Sequence, residues 1–177
     1  MKTSKQWWDS VKNNENELVS WLIKQWRGEV TAAMRIVRFA EQYAKTNHQI
    51  KVLNAIAAQE EMHADWVKEL LVSRNINVDS SQIEQAEQRY WRETLPNIVD
   101  FETGSAVAAH AEKMRLERIR VIAADETAPE DIRTTFAKIL TDEEWHERAF
   151  RELSSIEALE STKNSHQAGM ETLGLEA

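Results

Sequence analysis

Glu29, Glu60 and His63 are repeated, in the same order and at the same spacing, by Glu112, Glu143 and His146. In each set the second Glu follows the first by 31 positions, and the His comes three later. One Glu-x-x-His carries little information, since a chain with this Glu and His content produces about 0.6 of them by chance. Two of them, each preceded by a lone Glu at the same distance, form a pattern. Residues i and i+3 share a helix face, so Glu60 with His63, and Glu143 with His146, can each present an oxygen and a nitrogen to one metal ion. Glu29 and Glu112 complete the set from two other helices. Carboxylate and imidazole ligands suit iron, manganese and zinc alike, so the residue types leave the metal open.

Four long helices have to carry these groups. The chain has 177 residues with only 4 Gly and 2 Pro, a composition that favours helix over strand in a single all-α domain. The first helix, about residues 14–45, carries Leu18, Leu22, Trp26, Ala33, Ile36 and Ala40 on one stripe, and Glu29 lies on that stripe. The second, about 49–74, buries Leu53, Ile56, Val67 and Leu70 with Glu60 and His63 in phase between them. A connector over about 75–100 holds a short helix opened by a Ser81-x-x-Glu84 capping box and closed near Pro96. The third helix, about 101–126, aligns Ser105, Ala108, Glu112, Arg115, Ile119 and Ile122. The fourth starts at a Thr127–Glu130 capping box with Pro129 in its first turn, and buries Phe136, Ile139, Phe150 and Leu153 around Glu143 and His146. Residues 1–13 read as a short lead-in to a domain that ends near 160, and residues 161–177 lose periodicity and read as a mobile tail.

The turns test the site independently. In an antiparallel hairpin, residues equidistant from the turn sit at one height. Glu29 and Glu60 have their midpoint at 44–45, in the break before the second helix, and Glu112 and Glu143 have theirs at 127–128, on the turn before the fourth. Both pairs of glutamates therefore lie level, roughly 23 Å from their turns. Short links within each pair and a long one between them predict a four-helix bundle with one crossover. A charged residue on a helix usually faces solvent, but these four interrupt stripes of Leu, Ile, Val, Ala and Phe. Four buried carboxylates without partners would cost several kcal/mol each, and Arg115 offsets only one of them. Two divalent cations would neutralise all four. His48 in a turn, His166 in the tail and His110 on the far side of its helix do not join the set. Trp26 and Trp66, each one turn from a proposed ligand, read as core packing.

Several functions are excluded or disfavoured. A net charge of -8 disfavours phosphate-backbone recognition. The absence of Cys removes disulfides, thiolate zinc sites, Cys-held iron–sulfur centres and cysteine nucleophiles. The opening MKTSKQWWDS lacks the apolar core of a signal peptide, and no stretch is apolar enough to span a membrane, so a cytoplasmic location with no membrane partner is expected.

Taken as a set, Glu29, Glu60-Glu61-Met62-His63, Glu112 and Asp142-Glu143-Glu144-Trp145-His146 resemble the ferritin-like superfamily of di-iron carboxylate proteins, especially its rubrerythrin-like members, over about residues 15–157. The resemblance implies a ferritin-like antiparallel bundle holding two iron ions, with manganese as the alternative, bound by Glu29, Glu60, His63, Glu112, Glu143 and His146. It implies an oxidoreductase that reacts with dioxygen or hydrogen peroxide. Iron handling as a ferroxidase or storage subunit, and manganese catalase chemistry, are the alternatives, and a metal-free helical adaptor is the third. An enzyme of this kind is expected as a monomer or a small oligomer such as a homodimer. In related enzymes the acid before the last Glu-x-x-His bonds the histidine of the other motif, which points Asp142 at His63 and Gln59 at His146. Two departures stand out. Rubrerythrins add a glutamate one turn after the third-helix ligand, where this chain has Arg115, and they commonly carry a Cys-held rubredoxin iron, so here electrons would come from a separate donor.

Overall fold

The computed structural model describes residues 3–79 and 89–174, and among these there are seven α-helices and no strand. They are α1 (Ser4–Lys12), α2 (Glu15–Tyr43), α3 (Asn47–Val72), α4 (Arg89–Thr94), α5 (Phe101–Ala124), α6 (Glu130–Glu152) and α7 (Ile156–Thr172), with a 3-10 turn at Leu95–Asn97. The expected all-α, ferritin-like bundle consists of α2, α3, α5 and α6. α2 packs along α3 and α5 along α6, and the short links 44–46 and 125–129 make each pair an antiparallel hairpin. No described helix is long and apolar enough to cross a membrane.

Local chemistry sets the helix starts. Asn14 accepts from the Asn16 and Glu17 amides at the head of α2. Thr46 and Gln49 cap α3 reciprocally, as Asp100 and Thr103 cap α5. The Thr127–Glu130 box does not form. Instead α6 begins at Pro129 without a side-chain cap, because Asp125 takes Thr127, accepting from its amide at 3.0 Å and its hydroxyl at 2.7 Å. Asp125 also accepts from Trp8 Nε1 at 2.8 Å and Lys12 Nζ at 2.5 Å, so one carboxylate ties the α5–α6 turn to α1. Lys12 holds that carboxyl well below the usual range. The lead-in is therefore helical, with Trp8 buried against Trp21 at a centroid distance of 5.3 Å.

A second correction concerns the C-terminal end. Residues after Glu160, whose sequence predicts a mobile tail, continue α7, which lies on α4 and α5. His110 and His166 stack at 4.8 Å, His166 Nδ1 meets the Tyr90 hydroxyl at 2.8 Å, and Gly169 lies against the Tyr90 ring. These contacts are mostly through small and polar residues, with Met170 the one large apolar side chain that α7 buries fully, so they leave no continuous apolar stripe to read. The Ser81–Glu84 capping box lies outside the described residues.

The core has two apolar halves. One gathers Trp8, Leu22, Leu71, Ile122, Ile132 and Phe136, and the other gathers Ile36, Leu53, Ile56, Phe101, Ala109 and Phe150. On every long helix a carboxylate lies between the segments that feed the two halves.

The two interior glycines of α2 and α5 should respond oppositely to alanine. A Cβ at Gly28 meets nothing within 4 Å, so Gly28→Ala should raise stability by up to about 1 kcal/mol through helix propensity. A Cβ at Gly104 would collide with the Phe39 ring, which stacks on Phe101 at 5.4 Å, so Gly104→Ala should cost about 1–3 kcal/mol. Urea unfolding of both variants measures the two signs.

Candidate metal centre

Between those halves the structure brings together all six residues singled out by spacing. Glu29, Glu60, His63, Glu143 and His146 are each 0% exposed and Glu112 is 5% exposed. Their oxygens and nitrogens form two overlapping nests. Glu29, Glu60, His63 and Glu143 bring one atom each to within 4.8 Å of one another, and Glu60, Glu112, Glu143 and His146 do the same. Glu60 and Glu143 belong to both nests. Glu29 with His63 is confined to one nest, and Glu112 with His146 to the other.

The donor set fits a pair of cations. Both oxygens of Glu60, both of Glu143, Oε2 of Glu29, Oε2 of Glu112, and Nδ1 of His63 and of His146 are buried without a hydrogen-bond partner. Native interiors pair nearly all such atoms, so eight converging orphans mark a place for positive charge. Spacings agree. His146 Nδ1 lies 3.1 Å from Glu60 Oε1 and 3.5 Å from Glu143 Oε2, while His63 Nδ1 lies 3.7 Å from Glu143 Oε1 and 3.9 Å from Glu29 Oε2. Two atoms each bound at about 2.1 Å to one ion stand about 3–4 Å apart at ordinary ligand angles.

The far side of each imidazole is held by one continuous chain of hydrogen bonds. The Asp142 carboxylate can only accept, so the His63 Nε2–H donates to its Oδ2 at 3.1 Å. Gln59 Nε2 donates to Asp142 Oδ1 at 2.9 Å, which turns Gln59 Oε1 toward His146 Nε2–H at 3.0 Å. Both rings thus keep a proton on Nε2 and aim Nδ1 into the cluster, the tautomer a ligand requires. The likeness to related enzymes supplies both His contacts. The Gln59–Asp142 bond that joins them is visible only in three dimensions.

Arg115 sits at the centre rather than beside a single glutamate. Its Nη2 is 2.6 Å from Glu29 Oε1 and 2.9 Å from Glu143 Oε1, the latter without hydrogen-bond geometry, and its Nη1 is 3.5 Å from Glu60 Oε2 and 3.7 Å from Glu112 Oε2. One guanidinium does not neutralise four carboxylates, and the titration of the cluster reflects that. Burial pushes Glu29 and Glu112 up to about 8. Burial acts on Glu60 in the same direction but is outweighed by Arg115 and His146, so Glu60 titrates below its ordinary value. Burial lowers His63. At His146 burial also lowers, but Glu143 and Glu60 prevail and raise the imidazole to about 10.

A cleft borders the cluster on one face. α2 and α5 make few contacts with each other, and between them runs a cleft of about 900 Å³ whose floor includes Glu112 and Arg115. His48 is exposed, and His110 and His166 pair with each other under α7, so none of the three joins the cluster. Trp26 is core. Trp66 is partly buried, with its ring 5.5 Å from that of His63.

The raised carboxyls give the metal-free protein a defined pH dependence. Protonated Glu29 and Glu112 are favoured by the fold, so the stability they carry is full below their ordinary value of 4.5 and is lost as pH rises through about 8. His146, raised to about 10, acts in the same sense above neutrality. Thermal unfolding of chelator-treated protein should therefore show a melting temperature that falls between about pH 5 and pH 8, and Glu29→Gln should flatten the fall. Divalent cations displace those protons, so their stabilising effect should grow over the same window.

Neither a curated protein nor a solved structure matches the chain. The sequence profile of the rubrerythrin family does match it, over residues 21–154, a span that runs from α2 through α6 and contains all six clustered residues. The chain belongs to the rubrerythrin family.

Proposed function

We propose that the protein is a di-iron carboxylate oxidoreductase that reacts with dioxygen or peroxide. The carrying observation is that the two nests share Glu60 and Glu143. Glu60 and Glu143 would help to hold both ions, Glu29 with His63 would complete the set for one, and Glu112 with His146 for the other. Iron rather than manganese rests on family membership, since the ligand types suit both. When bound, two ferrous ions would supply the electrons that reduce an oxidant, and a separate donor would restore them.

The chain's own residues have distinct tasks. Asp142 and Gln59 orient the two imidazoles and hold their Nε2 protons. The Trp8–Phe136 and Ile36–Phe150 halves of the core exclude water from both ends of the cluster, leaving the α2–α5 cleft as the route for small molecules. Arg115 contributes a fixed positive charge. With two divalent ions it brings five positive charges against four carboxylates, an excess that favours anionic ligands on the cleft side. A carboxylate at position 115 could exchange between metals, and an arginine denies the centre that donor.

Two outcomes test the reading. Metal analysis of protein reconstituted anaerobically with ferrous iron should give two ions per chain. Glu60→Ala and Glu143→Ala should each lose most of both ions, whereas His63→Ala and His146→Ala should each lose about one. Background metal in the unmodified protein ends the proposal. Stopped-flow oxidation should show the reduced protein consuming O₂ readily with no strong preference for peroxide, and Arg115→Glu should shift it toward faster peroxide turnover. Peroxide consumption orders of magnitude faster than O₂ consumption in the unmodified protein would make a peroxidase the better assignment.

A further inference from the structure

The chain as a whole carries a net charge of -8, yet the side chains lining the α2–α5 cleft have the opposite balance. Among the described residues Lys24, Arg35, Arg38, Arg115 and Arg118 line it, and Glu112 is the one carboxylate that does. The rest of the wall is largely apolar. On α2 the lining runs from Trp21 to Tyr43, a span of roughly 33 Å at the helical rise. A long apolar channel with a cationic section is the shape and charge that an extended amphipathic anion fills.

The cations differ in what they already do. Arg115 is committed to the carboxylate cluster, and Arg35 lies over the Trp91 ring at 4.2 Å. Arg118 is partly buried and rests with its guanidinium carbon 4.6 Å above the Trp7 ring. Among the described residues no carboxylate pairs with it, and burial alone pulls its pKa down, with no acid nearby to oppose the shift. One face of the guanidinium is thus covered by an indole, and the residue lines the cleft. A partly desolvated guanidinium without an acid is a ready partner for a carboxylate, which it can bind through two parallel hydrogen bonds.

Register puts a second cation of the lining at the same height. Phe39 stacks on Phe101 at 5.4 Å, which sets α2 and α5 antiparallel with Glu29 level with Glu112. Lys24 and Arg118 then lie on one level, about 8–9 Å along the bundle from the glutamates. From that level the cleft passes Gly28, where no side chain projects and a Cβ would have open space, then Glu112, then a stretch toward Phe39 lined by Ile36, Ala108 and Ile98, with Arg35 held over Trp91 and Arg38 at the exposed edge.

We infer that this cleft binds an organic carboxylate with an extended apolar chain, its head on Arg118 and Lys24 and its chain running past Glu112 toward Phe39. As the substrate class of the oxidative centre, this inference rests on the function proposed above, because the chain would pass beside that centre. Binding itself needs no metal.

The experiment is calorimetric titration of the full-length, delipidated and chelator-treated protein with laurate. Laurate should bind at least about tenfold more tightly than butyrate, which lacks the chain, and than dodecyltrimethylammonium, which reverses the charge. Arg118→Gln should weaken laurate about tenfold, Arg118→Lys should restore part of the loss, and Gly28→Leu should block the cleft and abolish binding. Circular dichroism confirms that each variant is folded. Equal binding of the cationic amphiphile, tighter binding of ATP than of laurate, or unaltered affinity in folded Arg118→Gln and Gly28→Leu would each overturn the inference. So would a dimer that excludes laurate until Met34→Glu separates it, since a second copy of the chain would then be the occupant. Metal stoichiometry, measured separately, keeps the two readings apart: laurate binding without iron uptake defeats the di-iron reading alone, and iron uptake without laurate binding defeats this one alone.

Discussion

Four carboxylates buried at one level of a helical bundle are the constraint on which the rest of this structure depends. An isolated ionised group in a protein interior is unfavourable by several kcal/mol, and here four converge around one arginine. The fold accommodates them by dividing its apolar core. On α2 the acid Glu29 separates Trp26 from Ile36, and on α6 Glu143 and His146 separate Ile139 from Phe150. The two hydrophobic halves supply cohesion, and the layer between them is held open for charge. A hydrophobic core of the same volume would be more stable, so the polar layer makes sense as a site rather than as a structural device.

That layer is kept in order from outside. The chain His63–Asp142–Gln59–His146 links α3 to α6 across the bundle and satisfies every outward-facing polar atom of the two imidazoles. It leaves Nδ1 of each ring directed into the cluster without a hydrogen-bond partner. Two helices that are also tied by the Arg74–Asp131 ion pair, just past the end of α3, are thereby registered by hydrogen bonds whose geometry tolerates little sliding. The same α3–α6 contact closes one face of the bundle. The sparse α2–α5 contact leaves the opposite face as the cleft.

Arg115 and the cleft cations give this family member its own electrostatic character. Within a chain of net charge -8, positive side chains are gathered along the cleft that borders the carboxylate cluster. Arg115 faces the carboxylates, while Arg118, one turn further along α5, lies over Trp7 at the cleft side. Helix α1 therefore supports Arg118 through Trp7, and extends the core through Trp8 and the Asp125 network.

The grouping of Glu29, Glu60, His63, Glu112, Glu143 and His146 was legible in the sequence because it depends only on helical periodicity and on hairpin symmetry about two short turns, both of which are local properties. The four long helices and their buried stripes were legible for the same reason. Other features depend on groups far apart in the chain. Asp125 could be taken as a surface acid until Trp8 and Lys12 fold onto it, and it then displaces the cap that Thr127 and Glu130 would otherwise form. α7 has no continuous apolar stripe, since it docks on Tyr90 through His166, Gly169 and Met170, and its place in the fold follows from that contact rather than from its own pattern. Periodicity shows which side chains face inward, but it carries no distances between helices. The sharing of Glu60 and Glu143, the central place of Arg115 and the gathering of cations around an open cleft were decided only by tertiary packing, because each is a sum of weak local preferences resolved by which surfaces meet.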